Sequence, residues 1–190
     1  EEVFLDETRR YYANIVGKYG LQVQAALKKV SSVQIEMICP LHGPVWRKNL
    51  DYILSKYDLW SRYAPEKRGV VVAYASMYGN TENAACALAE RLAAMGVEDM
   101  RVHDVSKTHI SAVISDAFKY SHLVLASPTY NMGLYLGMET LLRDMAALNM
   151  RGRKVALIGN GSWAPAAHTV MERMLGDMKD MELLAPPLVI

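Results

Sequence analysis

Only two of the 190 residues are cysteines, Cys39 and Cys86, and they stand far apart and outside any CxxC spacing. That argues against a disulfide-built framework and against a thiolate metal ribbon, and it leaves both as small hydrophobes in a reducing, cytoplasmic compartment. Charge of one sign is also lacking, with 21 basic against 20 acidic side chains. The basic pairs Arg9-Arg10, Lys28-Lys29 and Lys67-Arg68 are scattered and build no continuous face, so no nucleic-acid partner is expected. No charge-free run is apolar enough to span a bilayer: the longest, Tyr120 to Met138, is broken by Ser127, Pro128, Thr129, Asn131 and Gly133. A signal-peptide pattern is missing as well. So is an initiator methionine: the chain opens Glu1-Glu2 and stops at Leu188-Val189-Ile190, inside what reads as a buried strand. Both ends read as cuts in a longer chain. What is plentiful is apolar side chain, 52% of the total, enough for a sizeable core in one or two domains.

The stretch that organises this material is Gly69 to Thr81, GVVVAYASMYGNT. Val70 to Ala75 reads as a buried strand, and it runs into the polar turn Ser76-Met77-Tyr78-Gly79-Asn80-Thr81. A helix follows, with Ala85, Leu88, Ala89 and Leu92 on one face. A hydroxyl- and amide-rich turn that opens a helix offers free backbone N–H groups and the positive end of the macrodipole, the setting in which phosphate binds. The plainer alternative is a polar loop in which Asn80 or Thr81 merely caps the helix.

From Gly69 onward, strands and helices alternate. The periodicity predicts strands at Met100 to Val105, Ser121 to Ser127, Lys154 to Gly159 and Met181 to Ile190, separated by helices at Ile110 to Tyr120, Leu136 to Asn149 and Ala166 to Lys179. Continuous apolar runs such as VVVAYA and LVLAS point to strands covered on both faces, hence a parallel, doubly wound α/β sheet in the flavodoxin-like order 2-1-3-4-5. The helix that normally closes such a fold after its fifth strand is not in the sequence. Before Gly69, the pattern predicts a helix from about Asp6 to Val30 that Gly17 and Gly20 interrupt, a strand from Val33 to Cys39, the rigid turn Pro40-Leu41-His42-Gly43-Pro44 and a helix from about Asn49 to Tyr63. Two helices and one strand form no sheet core of their own. The expected boundary lies in Ala64 to Arg68, giving a 1–66 remnant of an upstream domain and a 67–190 α/β domain.

In a sheet of this order, ligands sit beyond the carboxyl ends of the strands, so three loops belong to one rim. The first is Ser76 to Thr81. The second is Ser127-Pro128-Thr129-Tyr130-Asn131-Met132-Gly133, where proline adds stiffness, Tyr130 a flat face, and Thr129 with Asn131 polar groups. The third is Gly159-Asn160-Gly161-Ser162-Trp163, whose glycines allow close backbone approach and whose Trp163 offers a second aromatic wall. Each loop alone has an ordinary explanation: a cap, a tyrosine covering the sheet end, a packed tryptophan. One flat, phosphate-bearing cofactor explains all three, and FMN is the expected one.

SMYGNT, SPTYNMG and GNGSW, each after a strand, resemble the FMN loops of flavodoxin-like domains, and the preceding ICPLHGPVWR resembles the join between domains in the flavodiiron proteins (A-type flavoproteins). The resemblance implies a metallo-β-lactamase-like domain carrying a non-haem diiron centre, followed by an FMN-bearing flavodoxin domain. It implies reduction of dioxygen to water or of nitric oxide to nitrous oxide, with rubredoxin or a flavin reductase as electron donor, in a head-to-tail homodimer. On the matching positions, His42 would be an iron ligand and Ser76, Met77, Tyr78, Gly79, Asn80 and Thr81 the phosphate loop. Pro128, Thr129, Tyr130, Asn131 and Gly133 would bind the ring, joined by Asn160, Gly161, Ser162 and Trp163, where the match is loosest. No catalytic residue is carried over. The family's HxExDH motif is absent, and the other histidines, His103, His109, His122 and His168, read as surface or capping residues. Two other readings stay open: a stand-alone electron carrier or quinone reductase, and an FMN-free interaction domain.

Overall fold

Val70–Ala75 and Leu123–Ala126 have no polar face to turn to water, and the chain buries them as neighbouring strands. The computed structural model describes residues 2–190, with side chains from Phe4 onward. The elements are α1 (Glu2–Tyr11), α2 (Gly20–Val30), α3 (Leu50–Ser61), β1 (Lys67–Tyr74), α4 (Asn80–Ala94), β2 (Met100–Asp104), α5 (Ile110–Lys119) and β3 (Tyr120–Tyr130). They continue with β4 (Gly133–Leu134), α6 (Leu136–Ala147), β5 (Arg153–Asn160), α7 (Ala167–Gly176), β6 (Met181–Leu183) and β7 (Leu188–Val189). The main sheet is parallel, in the order β2-β1-β3-β5-β6, with β7 also on β5 and the short β4 antiparallel to β3. This is the α/β flavodoxin-like order expected. The fifth position is shared, however: Ala185, Pro186 and Pro187 part β6, which pairs with Arg153–Val155, from β7, which pairs with Ile158 and Gly159. Prolines lack the N–H that a ladder needs, so one continuous strand from Met181 to Ile190 does not form.

Alternation along the strands sends side chains to two faces. Val71, Ala73, Leu123, Leu125, Val155 and Leu157 enter the larger core with residues of α5, α6 and α7. Val72, Tyr74, Val124, Ala126 and Ile158 form the smaller one with Ala85 of α4. The larger core also takes in Tyr12, Ala13, Ile53 and Trp60, so the helices before residue 66 share the apolar interior of the sheet domain. The ring of Tyr12 lies 5.3 Å from that of Trp60 and 6.5 Å from that of Phe118. Between α1 and α2 the helix loosens into a π-turn at Tyr12–Val16 and tightens into a 3₁₀ turn at Gly17–Tyr19, the interruption expected there. Gly20 serves close approach: a β-carbon on it would stand 2.2 Å from the Ser61 carbonyl oxygen.

The expected strand from Val33 to Cys39 is not formed. Only Ile38 and Trp46 pair, as a single antiparallel bridge, and Cys39 is exposed rather than a buried hydrophobe. An extended segment needs a neighbouring edge to become a strand, and here only one rung has a partner. Charge ties this region to the sheet. Glu66, almost fully buried, accepts from Arg9 Nε, from Lys56 Nζ at 2.8 Å and from Trp60 Nε1 at 2.8 Å. Arg153 is equally buried and donates to the carbonyls of Ala117, Phe118 and Tyr63 at 2.7 to 3.1 Å. Burial depresses its pKa to about 10, still far above neutrality, so these carbonyls hold a cation. Among the described residues no helix is long and apolar enough to cross a membrane.

Burial alone would raise the Glu66 carboxyl, but Arg9, Lys56 and Trp60 outweigh it and hold its pKa below the ordinary 4.5. A carboxylate whose pKa falls on folding contributes its stability above the unfolded value and loses it as pH drops through the folded one. Glu66→Gln leaves buried Arg9 short of an anion. It should lower the unfolding free energy at neutral pH by about 3 kcal/mol. In urea titrations that deficit should shrink well below pH 4.5. A deficit that stays constant with pH would show that charge is not its source.

Candidate functional site

Parallel register decides where the loops emerge. Tyr74 of β1 pairs with Ala126 of β3, which pairs with Ile158 of β5, so the three strands end side by side. β3 and β5 stay paired through Ser127–Gly159 and Pro128–Asn160, into the second and third loops. Ser76, Met77, Tyr78, Asn80, Thr81, Pro128, Thr129, Asn160, Gly161 and Ser162 consequently line one cleft of about 180 Å³. Ten of the fifteen candidate cofactor residues from three separate loops thus meet in one place.

The first loop turns into α4 through Gly79, whose φ of +90° is open to glycine and strained for other residues. Among the described residues no side chain caps α4, so neither Asn80 nor Thr81 plays the capping part. By helix geometry the N–H groups of Asn80, Thr81 and Glu82 have no acceptor within α4. The first intrahelical bond runs from Asn83 N–H to Gly79 O at 2.8 Å. This uncapped 15-residue helix points its positive end at the cleft. Ser76 Oγ accepts from Gly79 N–H at 3.0 Å, and the buried Thr81 Oγ1 accepts from Asn160 Nδ2 at 3.2 Å, which fastens the first loop to the third. Among the described residues, none that lines the cleft is charged. The nearest acid in sequence, Glu82, accepts from Tyr74 Oη at 2.9 Å. Burial first, and then the Glu82 and Asp104 carboxylates, push the Tyr74 phenol up, so it stays a protonated donor at neutral pH.

The aromatic candidates stand differently. Tyr130 closes the end of β3, half-exposed and edge-on to Tyr135 at 5.9 Å, and Trp163 is 93% exposed. Neither lines the cleft; nor do Asn131 and Gly133. Asn131 (φ 47°) and Met132 (φ 60°) are both left-handed, and they form the two-residue turn between paired Tyr130 and Gly133. This β3–β4 hairpin was not foreseen, because its turn carries a methionine where glycine is usual. The role of Thr129 was also missed: its hydroxyl accepts the N–H groups of Ala166 and Ala167 at 2.9 and 3.1 Å.

His42 lies away from this rim. It sits on an exposed turn, its ring 5.3 Å from that of Tyr11, above an apolar hollow lined by Ile38, Trp46, Ile53 and Tyr57. Among the described residues no group of three His, Cys, Asp or Glu side chains could hold a metal ion. A diiron centre therefore does not fit these residues alone. Of the other histidines, His109 caps α5 as expected, while His103 is no surface group but pairs with Asp116 at 2.8 Å.

The sequence profile of the flavodoxin family matches residues 72–180. Nitric oxide reductase of Moorella thermoacetica is 29% identical over 187 residues, 97% of this chain and 46% of that protein. Rubredoxin:oxygen oxidoreductase of Desulfovibrio gigas superposes with a TM-score of 0.86 at 28% identity, covering 96% of this chain and 46% of that one. A flavodiiron protein of Thermotoga maritima, at 24% identity, repeats the fold over the whole chain with a TM-score of 0.87. The chain spans less than half the length of these relatives. The fold and the matched residues define a flavodoxin-type module. More narrowly, the chain belongs to the flavodoxin family, and over nearly its whole length it is similar to one half of the flavodiiron proteins.

Space around Gly79 is open, so replacing it tests backbone conformation alone. Gly79→Ala should lower stability in urea by about 1 kcal/mol, and Gly79→Asn by less, since asparagine tolerates left-handed φ. Equal stability of all three proteins would mean that the turn does not hold the φ assigned to it.

Proposed function

We propose that the chain is the FMN-binding electron-transfer module of a flavodiiron oxidoreductase. The observation that carries this reading is the cleft: an uncapped helix end and hydroxyl side chains from all three loops converge on a space with no side-chain charge among the described residues. Such a site suits a phosphate monoester that is met by neutral donors and the helix dipole. In this reading the amides of Asn80 to Glu82 and the hydroxyls of Ser76 and Thr81 take the phosphate. Pro128 to Asn131, Gly133 and Asn160 to Trp163 border the ring. Tyr130 and Trp163, which do not line the cleft, are read as aromatic walls that the ring would meet beyond it. FMN, when bound, supplies one- and two-electron redox chemistry.

The finer claims concern the whole protein. Residues 1–66 are read as the end of a metallo-β-lactamase-like domain and 67–190 as belonging to the flavodoxin domain. His42 is read as one ligand of a metal centre completed by residues outside this chain. The intact protein would reduce dioxygen or nitric oxide with electrons from rubredoxin or a flavin reductase, as a head-to-tail homodimer in the cytoplasm. A stand-alone carrier is the second reading. Against it stand the buried Tyr12 and Trp60, because a plain flavodoxin has no use for the helices that carry them.

The test is titration of the whole chain with FMN and riboflavin, followed by flavin fluorescence. FMN should bind and be quenched, and riboflavin, lacking the phosphate, should bind at least about tenfold more weakly. Supplied with a reductase, the chain should pass electrons yet turn over neither gas. No FMN binding by the folded chain would refute the cofactor reading, and appreciable gas turnover would refute the division of labour.

A further inference from the structure

Thr129 emerges from loop reading as one more polar group for the flavin ring, but its surroundings assign it another part. A hydroxyl oxygen has two lone pairs. In Thr129 both are taken, by Ala166 N–H at 2.9 Å and Ala167 N–H at 3.1 Å. Ala166 is the residue at the N-cap of α7, and its own side chain can accept nothing. The ring loop therefore caps α7 across a sequence gap of 37 residues. Gly161 packs against the same oxygen, and a β-carbon there would lie 2.9 Å from Thr129 Oγ1 and 2.9 Å from Pro165 Cα. The third loop is thus folded around this hydroxyl. Its far side is held by Gly161 N–H to Ile190 O at 3.2 Å and by Ile190 N–H to Gly159 O at 2.9 Å.

We propose that Thr129 is a positioning residue that locks the second and third loops into one ring-binding unit, rather than a direct ligand of the cofactor. The inference rests on the FMN reading above. Removing the hydroxyl while keeping the shape of the side chain, as in Thr129→Val, strands two amides at the start of α7. It also frees the Gly161 segment to drift from Pro128. The ring side of the site loosens, while the phosphate side, held by Ser76, Thr81, Asn160 and the α4 amides, stays as it is.

The test uses the whole chain as wild type, Thr129→Val and Thr129→Ser. It reads FMN and riboflavin affinity by fluorescence quenching, inorganic phosphate by its competition against FMN, and exchange of the Ala166 and Ala167 amides. Thr129→Val should weaken FMN and riboflavin alike, by tenfold or more on the scale of a lost buried hydrogen-bond set. It should leave the phosphate competition constant unchanged and speed exchange at both amides, while Thr129→Ser stays close to wild type. If wild type binds FMN and Thr129→Val binds it equally well, the positioning role is wrong and the cofactor reading stands. Equal weakening of phosphate would make Thr129 a direct phosphate ligand and would also overturn the proposal. If wild type binds no FMN, the cofactor reading itself falls. Should Thr129→Val not fold, wild-type protection of the two amides and the affinity of Thr129→Ser decide. Unprotected amides, or a serine variant as weak as a deletion, would overturn the proposal.

Discussion

Everything at the candidate site depends on the parallel ladder β1–β3–β5. Parallel strands in register must end at the same edge, and the loops that follow them have no choice but to be neighbours. Here the ladder stays paired through Pro128 and Asn160, past the point where the apolar runs stop. Polar and glycine-containing segments that lie far apart in sequence therefore start only one or two strand spacings from each other. The cost of ordering them is borne by the two cores on either face of the sheet, not by a ligand.

The electrostatics follow from the same placement. A cationic side chain in so confined a cleft would have to be desolvated and held in place whenever the site was empty. The cleft instead uses groups that the fold fixes anyway: the amides at the start of α4 and the Ser76 and Thr81 hydroxyls, whose oxygens are already engaged by Gly79 and Asn160. Hydroxyls committed as acceptors face a ligand with their protons. That favours acceptor-rich groups such as phosphate without adding charge to the protein.

The sequence made much of this legible. Uninterrupted apolar runs marked the buried strands, and polar turns after them marked the rim, because both signals are local. The strand order, the glycine turn that opens α4 and the helix that starts at Leu136 are all found. What escaped was non-local. Val33 to Cys39 has strand-like composition, yet a strand exists only where an edge receives it. Nothing local to Arg153 marks it as the buried cation that carbonyls of Ala117, Phe118 and Tyr63 surround. Thr129 looks like a ligand because nothing in SPTYNMG shows that Ala166 and Ala167 will fold back onto it. Trp163 has the chemistry of a ring wall and a place at the rim, but its position against a ring is not fixed by packing within the chain.

The central claim is that neutral donors and a helix end hold a phosphate dianion in the cleft, and ³¹P resonance of bound FMN observes that group directly. A free phosphate monoester takes up a proton near about pH 6. Bound as described here, the FMN phosphate should keep one chemical shift from about pH 5 to about pH 8, since the donors favour the dianion. A bound resonance that titrates like free FMN would place the phosphate in solvent and contradict the account.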